Sequence, residues 1–397
     1  MVDATPASRD RVVDFLRAAS ICTVVVGHWT IAIVWWQDGV LRTTSAIGVT
    51  SWMWLATWAL QVMPIFFFVG GFSNLVTLDA SRRRGEPDRV FVRSRAMRLL
   101  RPSAVFFAVW GSITVAMHLL DVGAPTGPHL LGETTLLRMF LPPGATLPFG
   151  PLWFLGVYLV VVAVAPWMIA LHRRFGWWVP AIMVLGTVAA DGFGFLGGVH
   201  LLRWFNVAFV LLLPHQLGFF YADGTFGRLP KRFFWGMIVV GLGGLLLLTN
   251  DWVWRLFGAV RFTWFPGIGY YPKSLLGTDV EAVSNAYPPT LCFMLGGIWT
   301  IGAVMLLRPV LQRWLQRRRP WKLTIGVNAV IMTLFLWHMT AFLGAVLVLW
   351  PLGLAREHDS TAAWWLQRPV ILGLAGLFLV GLVAVFGRFE RPRRRPR

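Results

Sequence analysis

Ten apolar runs, each about 20 residues long, dominate this 397-residue chain. A helix rising 1.5 Å per residue needs about that length to cross ~30 Å of hydrocarbon. The runs lie roughly at 12–36, 57–78, 103–120, 151–171, 177–192, 201–221, 233–249, 288–307, 327–350 and 366–387. Hydrophobic residues make up 57% of the chain and charged residues 13%, whereas a soluble domain carries about 25% charged residues. The expected fold is therefore all-α, a polytopic membrane bundle of about ten helices. The fifth run has an ambiguous outer end, because Asp191 and the glycines of DGFGFLGG interrupt it.

Basic residues set the orientation, since Lys and Arg are retained on the cytoplasmic side. Placing the N-terminus inside assigns 28 of the 36 Lys and Arg to inner segments, alternating loop by loop. Both termini are then cytoplasmic, and the basic stretch 388–397 is a solvated inner tail. The net charge of +19 does not describe a nucleic-acid surface, because the Arg clusters coincide with span ends, where they anchor helices and meet anionic lipid. Residues 1–397 read as one membrane-embedded domain, since the longest outer loops, about 120–150 and 250–287, are too short to fold alone. The first run is too long for a signal-peptide core and contains Asp14, Arg17 and His28, so a retained helix is expected. Cys22 and Cys292 both lie in apolar runs and build no disulfide framework.

Polar residues in the first run share a face. Arg17 and His28 are eleven apart, within about 20° of three full turns, and Asp14 lies about 60° from Arg17. The stripe from Asp14 to His28 is about 21 Å long, with His28 about 16 Å deeper than Arg17. Polar groups in a span face a bundle interior or a wet cavity, and an imidazole can take a proton from a hydroxyl near neutral pH. A structural reading of the same residues is an interfacial Asp14–Arg17 ion pair, with His28 bonded to a neighbouring helix.

An Arg, ten residues and a His in the first helix resemble the R-X10-H motif of the membrane acyltransferase-3 family, multispanning O-acyltransferases of bacterial cell surfaces and natural products. MPIFFFVGGFSN from Met63 to Asn74 resembles the family's second-helix segment, and FVRSRAMRLLRP from Phe91 to Pro102 its basic segment entering helix 3. PLWFLGVYL from Pro151 resembles the start of helix 4, and FLWHMT the late-helix segment carrying His338. One departure is Gly70-Gly71, where many members have Ser-Gly; glycine at both positions still permits close helix approach. Many relatives carry a fused extracytoplasmic SGNH hydrolase-like domain. Here the expectation is a chain that acts on its acceptor without one.

The resemblance implies transfer of an acyl group, most simply acetyl, from cytoplasmic acyl-CoA to a hydroxyl of a carbohydrate, glycolipid or glycosylated metabolite at a bacterial cytoplasmic membrane. His28 is then the base or transient acyl carrier, and Arg17, with Asp14 beside it, an electrostatic partner or oxyanion stabiliser. Arg93, Arg95, Arg98 and Arg101 supply a candidate clamp for the phosphates of acetyl-CoA, because guanidinium binds phosphate bidentately. Arg82, Arg83 and Arg84 read as plain anchors. His338, Asn206, His215 and Gln216 are candidates for a substrate cavity, as is Asn328 near the inner end of the ninth run, and packing roles suit each of them. The polar outer loop from Pro272 to Thr290 suits acceptor contact and suits any exposed loop equally.

No H-E-x-x-H, phosphate loop or nucleophile elbow occurs, so no metal is expected, and the Arg clusters at span ends give no nucleic-acid partner. A transporter of a glycan or metabolite is the main rival, since buried ionisable residues also mark transport pathways, but the sequence has no evident inverted repeat. A scaffold without chemistry leaves the aligned Arg17 and His28 unexplained. Reporter fusions near Arg84, near Ala286 and after Arg397 are predicted to report inside, outside and inside; an outside signal at Arg397 would break the ten-helix arrangement.

Overall fold

The computed structural model describes residues 9–37, 40–120, 132–141, 147–250, 271–277 and 284–390. Most of the basic tail, much of the two long outer loops and part of the Pro272–Thr290 loop lie outside the described residues. Ten helices among the described residues are long and apolar enough to cross a membrane. We label the helical cores α1 (Arg11–Ile31), α2 (Met63–Arg83), α3 (Asp88–Leu119), α4 (Trp153–Phe175), α5 (Trp178–Phe195), α6 (Asn206–Ala222), α7 (Lys231–Thr249), α8 (Leu291–Trp314), α9 (Ile331–Leu349) and α10 (Ala362–Phe386). The protein is an all-α, multi-pass membrane protein.

Four spans differ from the hydropathy pattern. The first helix stops at Ile31, and Ala32–Gln37 pairs antiparallel with Val40–Ser45 as strands β1 and β2. Ile33, Val34 and Trp35 favour strand geometry, and Asp38-Gly39 between the paired segments is a hairpin sequence signal. The second run is two helices, Met53–Leu60 and α2, broken before Pro64, whose missing N–H suits a helix start. The third helix begins at Asp88, so the whole basic segment is helical. The ninth run is also two helices, Arg318–Asn328 and α9, which places Asn328 at the end of the shorter helix rather than on α9. In α5, helix continues through Asp191 to Phe195.

The chain divides into two compact units. The first comprises residues 1–20, 50–88 and 164–324; the second comprises 21–49, 89–163 and 325–397. In the first unit α2 packs on α6, α7 on α8, and α5 on α6. Lipid tails are as apolar as leucine side chains, so close approach and internal hydrogen bonds must hold such helices together. A Cβ at Gly71 would lie 1.9 Å from the His215 carbonyl oxygen, and one at Gly218 would lie 2.1 Å from that of Phe68. These two glycines let α2 and α6 meet backbone to backbone. Gly241 does the same for α7, where a Cβ would lie 2.7 Å from the Leu295 carbonyl oxygen.

Helix ends are tied by side chains. Asp10 Oδ1 accepts from Val12 and Val13 N–H at 2.9 and 3.1 Å and so caps α1. Its other oxygen accepts from the Tyr221 hydroxyl at 2.6 Å, and Arg308 Nε donates to that same hydroxyl at 2.8 Å. Between α2 and α3, Arg82 grips Asp88 bidentately at 2.8 and 2.7 Å, and Arg84 grips Glu86 at 2.9 and 2.8 Å. Hydrogen bonds from Arg84 and Ser81 hold the Glu86 carboxyl down at about 2, so this turn stays ion-paired at any ordinary pH.

Gly71→Ala is predicted to lower the melting temperature of the purified protein, because a methyl group against a fixed carbonyl costs roughly 1–3 kcal/mol or more. Gly243→Ala on α7 has nothing within 4 Å of its new Cβ and should melt at or slightly above the wild-type temperature. Equal melting of the two variants would show that the α2–α6 contact is looser than described.

Candidate active site

In the second unit the two expected histidines meet. His28 Nδ1 lies 2.9 Å from His338 Nε2, with the rings stacked at 5.1 Å between centroids and 16° between planes. His338 Nδ1 lies 2.7 Å from the Phe335 carbonyl oxygen, which only accepts, so that nitrogen carries the proton. In a neutral pair His338 Nε2 is therefore the acceptor and His28 Nδ1 the donor. His28 Nε2 is left with its lone pair available, in the tautomer a general base requires.

His338 is held from several sides. Its own carbonyl accepts from Trp29 Nε1 at 2.8 Å, so α1 and α9 are joined by a residue adjacent to His28. On α3, Trp110 Nε1 donates to Thr340 at 3.1 Å and Phe106 meets Trp337 edge-on at 5.1 Å. Trp337 also stacks on Phe386 of α10 at 4.0 Å. The break before α9 is satisfied by Glu390, whose carboxylate accepts from Met332 and Thr333 N–H at 3.0 Å each. Burial pushes the Glu390 carboxyl up, opposed by those N–H bonds, the Thr333 hydroxyl and the nearby Arg98 charge. His338 is buried at 1% exposure, whereas His28 is partly exposed.

Shortening of α1 moves His28 from an expected mid-span position to the last helical turn. Its neighbours on the stripe are engaged elsewhere. Asp14 pairs with Arg9 and lies 3.6 Å from Arg17, while Arg17 Nη2 donates to Ser73 Oγ at 2.6 Å. The ion pair of the structural reading is thus present, and the hydroxyl that meets Arg17 comes from one turn beyond Gly70. His28 is bonded to a neighbouring helix as that reading also requires, but its partner is a second histidine that sets its tautomer.

Arg93, Arg95, Arg98 and Arg101 all lie in the helical start of α3. Residues two apart on a helix point about 200° from each other, so Arg93 and Arg95 address different directions; Arg93 and Arg101 are about 80° apart. Arg93, Arg98 and Arg101 are exposed, with no carboxylate within 4 Å among the described residues. This contrasts with Arg82 and Arg84, which Asp88 and Glu86 occupy.

Asn206, His215 and Gln216 are buried in the first unit, each in its own network, whereas Asn328 belongs to the second. Asn206 Nδ2 donates to Asp191 Oδ1 at 2.8 Å, and Tyr271 hydroxyl and Leu291 N–H converge on the other Asp191 oxygen at 2.8 Å each. Asp191 thereby caps α8, which explains a carboxylate inside an apolar helix. Burial and the Asp191 charge push the Tyr271 phenol well up, keeping it a donor. His215 Nε2 lies 3.1 Å from Asn74 Nδ2, and Gln216 Nε2 lies 2.8 Å from His172 Nδ1, whose Nε2 faces Asp223 at 3.0 Å.

Sequence reasoning passed over Trp29, Trp364, Arg368 and Glu390, all close to the histidine pair or to the helix that carries it. Arg368 had a legible signal, since an ionisable residue inside an apolar span is a functional candidate by default. The others had none, because each acts through a contact with a residue far away in sequence.

The acyltransferase-3 family model, described as an acyltransferase domain, matches residues 10–387, and the chain belongs to that family. No curated protein and no solved structure matches it. The protein is a multi-pass membrane acyltransferase.

Proposed function

We propose that the protein moves an acyl group, acetyl in the simplest case, from cytoplasmic acyl-CoA to a hydroxyl of a carbohydrate, glycolipid or glycosylated metabolite at a bacterial cytoplasmic membrane. The observation that carries the reading is the bonded pair His28–His338, which leaves His28 Nε2 as a base. His28 Nε2 takes the proton of the acceptor hydroxyl as its oxygen attacks the thioester carbonyl. The C–S bond breaks, the thiolate takes that proton back from the imidazolium, and an ester and free CoA thiol leave. His338 steadies the imidazolium by accepting from its Nδ1–H, which makes it a positioning residue. The thioester supplies the driving force, so the protein contributes binding, orientation and one proton transfer.

Arg93, Arg95, Arg98 and Arg101 are assigned to the donor. A CoA carries a pyrophosphate and a ribose phosphate, and guanidinium groups fanned around one helix end suit separated phosphates better than a single one. Asp14 and Arg17 keep an electrostatic role, with Arg17 held ready by Asp14 and Ser73. Both units, in this reading, serve one acyltransferase domain.

Purified protein given labelled acyl-CoA and a soluble glycoside is predicted to release thiol and form ester. His28→Ala should insert and fold yet lose transfer. His338→Phe should lower kcat by roughly 10²–10⁴-fold, the range of a general base, with little change in KM for acyl-CoA. Label trapped on wild-type protein without acceptor, and absent from His28→Ala, would replace direct transfer with an acyl-histidine route. Full activity in His28→Ala would remove the assignment, and transport without thiol release would favour an exporter.

For the donor, Arg93→Lys or Arg95→Lys is predicted to raise the CoA dissociation constant about tenfold or more, because a point charge does not reproduce a bidentate contact worth roughly 1.5–3 kcal/mol. Arg83→Lys is the control and should bind as wild type. Equal affinity in all three would dismiss the clamp.

A further inference from the structure

Arg368 lies seven residues into α10 and is buried at 5% exposure. Its Nη1 donates to the carbonyl oxygens of Trp29 and Ala32 at 3.2 and 3.0 Å, at the C-terminal end of α1. Its guanidinium carbon sits 3.7 Å from the ring centroid of Trp364, which is one turn earlier on α10 and 1% exposed. No carboxylate lies within 4 Å of Arg368 among the described residues. Two donors of this stacked pair, Arg368 Nε and Trp364 Nε1, are buried without an acceptor among the described residues.

Such an arrangement is costly on two counts. A buried cation needs a counter-charge that two carbonyl dipoles and a ring face supply only in part. A buried N–H needs an acceptor. One species answers both: an anionic oxygen, which brings negative charge and several lone pairs to one place. A neutral hydroxyl would satisfy the donors and leave the charge.

Position narrows the ligand. The Trp29 carbonyl that holds Arg368 belongs to the residue next to His28, and the Trp29 indole bonds His338. Eighteen residues of α10, about 27 Å of helix, separate Arg368 from Phe386. Just beyond that far end sits Glu390, which feels the Arg98 charge. The two basic sites of the second unit therefore lie near opposite ends of α10. If Arg93 to Arg101 hold the donor, the Arg368 end is where the acceptor enters.

We propose that Arg368 and Trp364 form a subsite for an anionic group, a carboxylate or phosphate, carried by the acyl acceptor, so that the enzyme acts on an acidic saccharide or phosphosaccharide. The word acceptor rests on the acyl-transfer reading; the anion site does not. Arg368 keeps Nη1 on the end of α1 and turns Nε, with Trp364 Nε1, to the ligand. Binding the anion next to Trp29 thus registers the acceptor hydroxyl against His28.

The test measures binding apart from chemistry. Melting temperatures of the purified full-length protein are recorded against methyl glucoside, methyl glucuronide and glucose 1-phosphate, which separate neutral, carboxylate and phosphate ligands. At least one anion should raise the wild-type melting temperature saturably, and methyl glucoside should not. Trp364→Phe keeps the stacked ring and removes one donor, so its dissociation constant for that anion should rise about tenfold, the loss of one charge-assisted contact. Arg368→Lys should weaken binding similarly, and Arg368→Gln should abolish it; if the last does not fold, the first two decide. Stabilisation by an anion that is unchanged in Trp364→Phe and Arg368→Lys, or no stabilisation of wild type by either anion, would overturn the subsite. Anion binding without thiol release from acetyl-CoA would leave the subsite standing and remove the acyl-transfer reading, whereas thiol release without anion binding would do the reverse.

Discussion

Between helices in lipid there is little hydrophobic gain, and the rest of this structure follows from that constraint. Contact has to come from backbones that approach closely and from polar groups that satisfy one another. Gly71 and Gly218 supply the first at the α2–α6 crossing. Asp191 supplies the second: a carboxylate inside α5 binds a tyrosine hydroxyl, an asparagine amide and the first N–H of α8, so a group unfavourable in hydrocarbon becomes the fastening of a helix end. Glu390 fastens the start of α9 in the same manner.

Both units carry buried polar groups with bonding capacity left over among the described residues: Arg203 Nε and Nη2, Asn206 Oδ1 and Gln216 Oε1 in the first, and Arg368 Nε and Trp364 Nε1 in the second. In the first, the groups on Asp191, His172 and Tyr221 turn toward partners within the unit, which makes structure of them. In the second, the histidine pair and the stacked Arg368–Trp364 pair are held firmly, and Arg368 Nε and Trp364 Nε1 have no acceptor among the described residues. Rigid placement with unspent bonding capacity suits the substrate site proposed for the second unit, because groups already held in place need no reorganisation when a ligand arrives. Acyl transfer itself follows from the family membership of the chain.

Hydropathy located ten spans because length and apolar content depend only on local sequence. It misjudged where helices break. The α1 helix ends at Ile31 because the next residues find a strand partner in Val40–Ser45, and the ninth run breaks where Glu390, some sixty positions later, accepts the N–H groups of a new helix start. A sum over a window contains no information about a distant partner. The spacing of Arg17 and His28 was legible for the same reason the spans were: helical periodicity is a local property.

What the residue order determined by itself is ten apolar spans and a set of candidate groups placed along them: a first-helix imidazole, a basic helix entrance and a second histidine late in the chain. What only the tertiary structure decided is their pairing. His28 meets His338; Arg17 turns to Ser73; and Arg368, marked in the sequence only as an ionisable residue inside an apolar span, becomes a buried cation held on the carbonyls of Trp29 and Ala32. The physical reason is that a hydrogen bond is specific to a few tenths of an ångström and a few tens of degrees, whereas sequence spacing constrains only direction around one helix axis, and the choice of partner across helices belongs to their packing.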